Sequence, residues 1–434
     1  MIGNDLVNEF YLKPKFFSVM KRYTKDQFVK DVVAGIIVAI IALPLSIALA
    51  LASGVEPACG IYTAIAAGFI VGLFGGSRIQ IAGPTAAFAT IVAGVVATEG
   101  MDGLFIATVM AGIILIIMGV LKAGNLIKFI PKTVTIGFTS GIAVTILIGQ
   151  IKDFLGLSYA DGIKPIETIE KIEANIESIS TFSFESLIIG LICLVILIFY
   201  PKIEKRVPPS LIAVIISSVL VAVIPVFDSG VKTIGDLYTI PTGLPKIDLS
   251  GINVSTDRVL TLLPNAFTIA ILAGVESLLS CVVADKMIDS KHNPNAELVA
   301  QGLGNIASVF FGGIPATGAI ARTSANAKNG GRTPVAAMVH AIVLLLVLVL
   351  LMPYAALIPM PAIAAILFMV AYNMSEYKEF AHILKTKTIT DDIVLVITFL
   401  LTVIFDLVVA IVIGLIVHYL FVFSMKILEK MRKS

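Results

Sequence analysis

Gly75-Gly76-Ser77-Arg78-Ile79-Gln80-Ile81-Ala82-Gly83-Pro84-Thr85-Ala86-Ala87-Phe88 interrupts a chain that is apolar on both sides of it. Two glycines, an arginine, a β-prone run and a Gly-Pro break stand where a hydrophobic helix should continue. In lipid every backbone N–H and C=O needs a partner, so a broken backbone survives only inside protein or along a wet cavity. Pro84 suits the first turn of a new helix, where its missing N–H would be unpaired anyway. The helix after it presents the N–H groups of Thr85, Ala86 and Ala87 at membrane depth. Exposed helix N-termini carry partial positive charge and bind anions. The stretch predicts an anion site inside a membrane protein.

Composition supports the membrane. The 434 residues are 58% hydrophobic and 14% charged, against about 45–50% and about 25% in soluble domains. Residues 32–53, 104–121, 187–200, 336–352 and 407–425 form apolar runs near or above the bilayer-spanning length of about 20 residues. The first is too long and too late for a signal peptide. The spacing predicts fourteen segments, at 30–52, 58–74, 84–98, 104–121, 133–150, 184–200, 209–226, 260–283, 296–311, 315–327, 333–352, 358–373, 389–405 and 407–425.

Charge distribution orients them. Lys and Arg accumulate in cytoplasmic loops. With the N-terminus inside, 24 basic residues fall in cytoplasmic parts and six outside, and Arg322 lies within a segment. Both termini are then cytoplasmic, and Arg78 is a topology anchor. Residues 152–183 are acid-rich with helical spacing and predict a surface helix; 227–258 read as turns.

The same stretch has an echo. Gly83-Pro84-Thr85-Ala86-Ala87 matches Ile314-Pro315-Ala316-Thr317-Gly318-Ala319 at an offset of 231, and Ile130-Pro131-Lys132 matches Ile358-Pro359-Met360 at 228. Seven segments per half would invert the second half relative to the first. Paired, Gly/Pro-interrupted helices in inverted repeats point to a transporter site at the midplane.

Two charged residues stand inside these segments. Glu276 lies in an apolar run, where an ionised carboxylate costs at least about 2.5–3.5 kcal/mol. The repeat offset sets it opposite Leu45 in the Leu43-Pro44-Leu45-Ser46 kink. Ser280 lies one turn on, and the two offer hard oxygens for Na⁺ or a protonatable group; a structural pairing of Glu276 with Arg322 or Ser280 is the alternative. Arg322 could hold an oxyanion or counter Glu276, or anchor the cytoplasmic end by snorkelling towards Arg332.

Other residues carry less. Cys59, Cys193 and Cys281 lie far apart in apolar surroundings as small core residues. His292, His340, His382 and His418 do not cluster as metal ligands. Lys30 and Asp31 read as charges at a helix start, and Asn253-Val254-Ser255 as a chance glycosylation sequon. No Walker motif, nucleotide fold or nucleophile elbow occurs. Nothing here predicts an enzyme, a bound cofactor or a nucleic-acid partner.

At these residues the chain resembles the SulP family of sulfate permeases and anion transporters, solute-carrier family 26. The likeness runs through Leu43-Pro44, Ala52-Ser53-Gly54-Val55-Glu56-Pro57, Gly60-Ile61-Tyr62, Gly75-Gly76-Ser77-Arg78 and Gly83-Pro84-Thr85-Ala86. It continues through Gly302, Gly304-Asn305, Phe311-Gly312-Gly313-Ile314-Pro315, Arg322-Thr323-Ser324-Ala325-Asn326 and Gly330-Gly331-Arg332-Thr333.

The resemblance implies an all-α, fourteen-segment, seven-plus-seven inverted-repeat fold like that of uracil transporters, commonly a homodimer. Segments 3 and 10 would be short half-helices. It assigns 30–124 and 258–353 to a core domain and 125–257 and 354–425 to a gate. Residues 1–29 and 426–434 become cytoplasmic termini, and a bacterial plasma membrane follows. A small inorganic anion would sit near Thr85, Ala86, Ala87, Gly318, Ala319, Ala321 and Arg322, with Leu45 and Leu49 beside it. Glu276 becomes the coupling position, with Ser280 and Thr317 near a coupling Na⁺ or H⁺.

Three departures qualify this. Relatives often carry Gln and an aromatic where this chain has Leu45 and Leu49. Sodium–bicarbonate symporters usually carry Asp at the place of Glu276. Relatives usually continue into a STAS domain, and these 434 residues end just past the last apolar segment. The expectation is an inorganic anion transporter, of sulfate with H⁺ or bicarbonate with Na⁺. An uncoupled channel or exchanger and a nucleobase:proton symporter of the same fold stay open.

Overall fold

The computed structural model describes residues 12–125, 131–163, 165–204, 207–240, 254–386, 388–405 and 407–433. The sequon residue Asn253, the echo residue Ile130 and the basic residues Lys128, Lys164, Lys205, Arg206, Lys246 and Lys387 lie outside them.

The principal elements begin with α1 (Lys25–Ala52), α2 (Pro57–Phe74), the two-residue strand β1 (Ala82–Gly83), α3 (Ala89–Val120) and α4 (Lys132–Leu155). Next come α5 (Thr168–Glu177), α6 (Phe184–Ile203), α7 (Pro209–Val223), α8 (Thr256–Ile288), α9 (Pro294–Phe310) and β2 (Thr317–Gly318). The chain closes with α10 (Ile320–Lys328), α11 (Val335–Leu351), α12 (Met360–Met374), α13 (Tyr377–Thr386), α14 (Ile389–Ile404) and α15 (Leu407–Lys433). Among the described residues seven helices are long and apolar enough to cross a membrane, those at 25–52, 57–74, 86–120, 132–155, 184–203, 256–288 and 335–357. This is a mostly helical integral membrane protein.

Helix starts follow local chemistry. Thr24 Oγ1 accepts the Gln27 N–H at 3.2 Å to open α1, and Ser255 Oγ accepts the Arg258 N–H at 3.3 Å to open α8. Asn293 caps α9 at two amides, with Pro294 in its first turn. Each cap satisfies a donor that the helix itself leaves unpaired. The acid-rich stretch folds as expected into the largely exposed α5, whose start is a capping box of Glu167 and Glu170.

Some boundaries differ from the sequence reading. The segments expected at 84–98 and 104–121 are two helical stretches of α3 that meet at a kink at Gly100, with φ 71°, and the first is entered through a 3-10 turn at Ala86–Phe88. That positive φ suits a residue without Cβ. The helix expected from 315 starts at Ile320, because Thr317 and Gly318 are extended. The amphipathic α13 was not anticipated; its Lys and Glu residues keep it from reading as a span.

Small residues let the helices touch. A Cβ on Gly302 would lie 2.4 Å from the Gly112 carbonyl, where α9 crosses α3, and one on Gly60 1.9 Å from the Ser46 carbonyl, where α2 crosses α1. Membrane helices lack a hydrophobic drive to associate and rely on such close packing. The helices collect in two groups. In one, α9 and α8 pack on α3, α9 also on α2, and α11 on α1 and α2; in the other, α4 packs on α12 and α14, and α12 on α6. Ile117, Val195, Phe199, Leu346 and Leu420 are among the large apolar side chains exposed on the outside.

Candidate functional site

The two interrupted stretches meet inside the first group. β1 pairs antiparallel with β2, Ala82 opposite Gly318 and Gly83 opposite Thr317. Ala319 N donates to the Ile81 carbonyl at 2.9 Å, extending the ladder. The strand pair satisfies backbone groups that lipid could not. Each strand leads directly into helix: β1 through the Ala86–Phe88 turn into α3, and β2 into α10.

This register revises the echo. Ala82–Gly83 and Thr317–Gly318 occupy equivalent places, whereas Pro84 follows its strand and Pro315 precedes its own. The two prolines are not counterparts; the strands are.

Reciprocal anchors hold the approaches to the strands. Glu297, in the first turn of α9, accepts the N–H groups of Gly76 and Ser77 at 2.9 and 3.1 Å and the Gln301 amide at 2.9 Å. Thr63 of α2 accepts the Ile314 N–H at 2.8 Å. α9 thus grips the loop that leads to β1, and α2 the loop that leads to β2. Asn305 adds a two-way bond to the backbone of Ala316, at 2.8 and 2.9 Å.

A buried polar network surrounds the strands. Ser277 Oγ shares a hydrogen bond with Thr317 Oγ1 at 2.7 Å and accepts the Gly318 N–H at 2.9 Å. Thr317 also donates to the Ala273 carbonyl at 3.0 Å. Gln80 donates to the Ser277 carbonyl at 3.0 Å and accepts from Ser280 at 2.9 Å, while Thr323 accepts the Ile81 N–H at 3.1 Å.

The expected site residues divide by accessibility. Ala321 is exposed, and Thr85, Glu276 and Leu45 are half-buried. Ala86, Ala87, Leu49, Thr317, Gly318, Ala319, Ser280 and Arg322 are buried. Thr85 Oγ1 donates to Glu276 Oε2 at 2.9 Å, so the carboxylate of α8 meets the first residue after Pro84. Ser280 is turned to Gln80, in a different layer from this contact. The hydroxyls expected to join Glu276 around a cation thus already serve other partners.

Arg322 does not snorkel. Its side chain is 1% exposed, and Nη2 donates to the Pro84 carbonyl at 3.2 Å and to Ser46 Oγ at 3.3 Å. A Cβ on Gly83 would lie 2.3 Å from Nη1, so this glycine makes room for the guanidinium against the strand. Nε and Nη1 have no hydrogen-bond partner. Among the described residues no ion pair joins Arg322 to Glu276.

The sequence reading missed Gln80, Ser277, Thr323, Thr63 and Glu297 as parts of this assembly. Their common signal is a polar side chain inside a predicted span or in the break itself. Asp31, read as a terminus charge, is 0% exposed; it accepts from Tyr23, Gln27, the Arg332 N–H and Thr333, at 3.0, 2.9, 2.8 and 2.5 Å. It fixes the loop after α10. Lys30 beside it is exposed and pairs with Asp26 at 2.6 Å. Among the described residues no group of three His, Cys, Asp or Glu side chains could hold a metal ion.

Known proteins resemble the chain along most of its length. The profile of the Sulfate permease family matches residues 28–398. YvdB of Bacillus subtilis, provisionally named a sulfate transporter, is 44% identical over 412 residues, spanning 94% of this chain and 76% of that protein. The bicarbonate transporter BicA of Picosynechococcus is 33% identical over 403 residues, spanning 89% and 69%. The solved transmembrane domain of a cyanobacterial BicA superposes with a TM-score of 0.80 at 30% identity, covering 90% of this chain and 98% of that one.

Proposed function

Because the chain belongs to the sulfate permease family, we propose that it is a secondary active transporter of a small inorganic anion, carrying sulfate with protons. The observation that carries this reading is the β1–β2 pair, which directs two helix starts into one place with Arg322 behind them. Each helix terminus contributes about 0.3–2 kcal/mol to an anion, so binding is moderate and reversible. The anion sits between Thr85, Ala86 and Ala87 on one side and Gly318, Ala319 and Ala321 on the other. Leu45 and Leu49 of α1 line its path, and their apolar side chains leave recognition to backbone and Arg322.

The two helix groups are the core (30–124 and 258–353) and the gate (125–257 and 354–425). We read them as fourteen segments in a seven-plus-seven inverted repeat. The break at Gly100 and the late start of α10 support short half-helices at segments 3 and 10. The core carries the anion across the gate by alternating access, in a homodimer within a bacterial plasma membrane. The distribution of basic residues supports cytoplasmic termini.

Charge sets the need for coupling. Moving one anion inwards against 100 mV costs about 2.3 kcal/mol, and a divalent anion about twice that. Protons suit sulfate; with bicarbonate they would carry only carbonic acid. Glu276, partly accessible and bonded to Thr85, is the coupling carboxylate. The likeness to BicA favours a second reading, bicarbonate with Na⁺ at Glu276, Ser280 and Thr317. The engagement of Ser280 with Gln80 and of Thr317 with Ser277 weighs against it.

Purified protein in liposomes tests this, with labelled sulfate and bicarbonate under imposed H⁺ or Na⁺ gradients. Acid-driven sulfate accumulation is expected. Na⁺-driven bicarbonate uptake would select the second reading, and anion flux that ignores both gradients an uncoupled channel or exchanger. Uptake of uracil with neither anion would refute anion transport.

A further inference from the structure

Two small residues of α2 mark a second polar place, behind β1. A Cβ on Gly68 would lie 3.4 Å from the Ala82 carbonyl and 3.5 Å from His340 Nδ1; one on Gly83 would lie 2.3 Å from Arg322 Nη1 and 3.4 Å from the Ala64 Cα. Ala64 and Gly68 are one turn apart on one helix face. The imidazole from α11 and the guanidinium from α10 therefore reach the same two-residue strand against the same side of α2. His340 is 0% exposed and Arg322 1%. Neither His340 nitrogen has a hydrogen-bond partner, and neither do Arg322 Nε and Nη1. Buried polar groups are rarely left unpaired without a water, an ion or a function to explain them.

We propose that His340 is a second proton site of the transport cycle, coupled to the anion through Arg322. The proposal rests on the anion-transport reading above. Arg322 is the charged group that reaches the same strand as His340. The other elements packed on α11 add no charge nearby. α2 brings only Cys59 and Tyr62 as titratable groups, α1 has Lys25, Asp26, Lys30 and Asp31 confined to its first two turns, α10 adds Lys328 at its far end, and the turn after α11 adds Tyr354. With the anion bound, its charge offsets the guanidinium, and the free lone pair of a ring nitrogen accepts the proton. Linkage makes the effect mutual, so protonated His340 tightens anion binding by the same factor. Imidazole is suited to this because its ordinary titration lies near neutral pH. With Glu276, two protons then accompany one divalent anion and no net charge moves.

Sulfate binding to the purified protein in nanodiscs is measured by calorimetry at pH 5.5 and 7.5, in buffers of different ionisation enthalpy. The intact protein is expected to bind sulfate at least about fivefold more tightly at the lower pH and to take up protons as it binds. This comparison needs no variant. His340→Gln, with His340→Asn as a second replacement, should take up one proton fewer as it binds sulfate and should lose at least about fivefold of the intact protein's affinity at pH 5.5. Glu276→Gln should keep the His340 share of uptake. Sulfate binding without proton uptake in the intact protein, or uptake lost entirely in Glu276→Gln and unchanged in His340→Gln, would overturn His340 as the proton site. Binding of neither sulfate nor bicarbonate would instead overturn the anion reading itself.

Discussion

Gly83 shows how finely the site is set at the scale of one residue. Its missing side chain leaves room for Arg322 Nη1, which a Cβ would approach to 2.3 Å. Gly83→Ala forces the guanidinium away from Ser46 and the Pro84 carbonyl. Sulfate uptake by this variant should show at least a tenfold higher KM, about 1.4 kcal/mol, with normal amounts of folded protein by size-exclusion chromatography. Glu276→Gln should abolish gradient-driven accumulation and spare sulfate–sulfate exchange; unaltered accumulation would remove Glu276 from coupling. Residue identity was legible in part. Glu276 and Arg322 stood out because charge in an apolar run is costly. His340 did not, since a lone imidazole in sequence gives no sign that an arginine eighteen positions earlier reaches the same strand. Asp31 misled because a carboxylate in the first turns of a helix is ordinary on the surface, whereas here the Arg332–Thr333 loop covers it.

At the scale of elements, the break at Gly83-Pro84 and most helix starts were readable because capping residues and prolines act locally. The pairing of the two breaks was not, because strand register depends on contacts more than two hundred residues apart. The proline echo therefore aligned positions that the β1–β2 ladder sets apart. The reciprocal anchors make a test at this scale. Glu297→Ala leaves the Gly76 and Ser77 amides without their buried acceptor; losing such charge-assisted bonds costs about 1.5–3 kcal/mol each. Thr63→Val removes the neutral bonds of one hydroxyl, which accepts the Ile314 N–H and donates to the Cys59 carbonyl, about 1 kcal/mol each. Thermal unfolding in detergent should rank Glu297→Ala well below Thr63→Val, and Thr63→Val below the intact protein. The opposite order would deny Glu297 its anchoring role.

For the whole molecule, composition made the membrane legible, and the excess of basic residues in alternate loops proposed its orientation. Cys59, Cys193 and Cys281 are all buried, so introduced cysteines can report sidedness. Asp161→Cys should react with an impermeant maleimide from outside intact cells, and Lys291→Cys only after the membrane is opened. The transport reading places one anion between the two strand-to-helix junctions, and that claim is open to direct observation. The decisive measurement is a structure with bound selenate, a sulfate analogue whose selenium scatters strongly. Selenate density within hydrogen-bond reach of the amides of Ala86, Ala87 and Ala321 is the predicted result. Selenate bound elsewhere in a protein that transports sulfate, with that junction empty, would contradict the account.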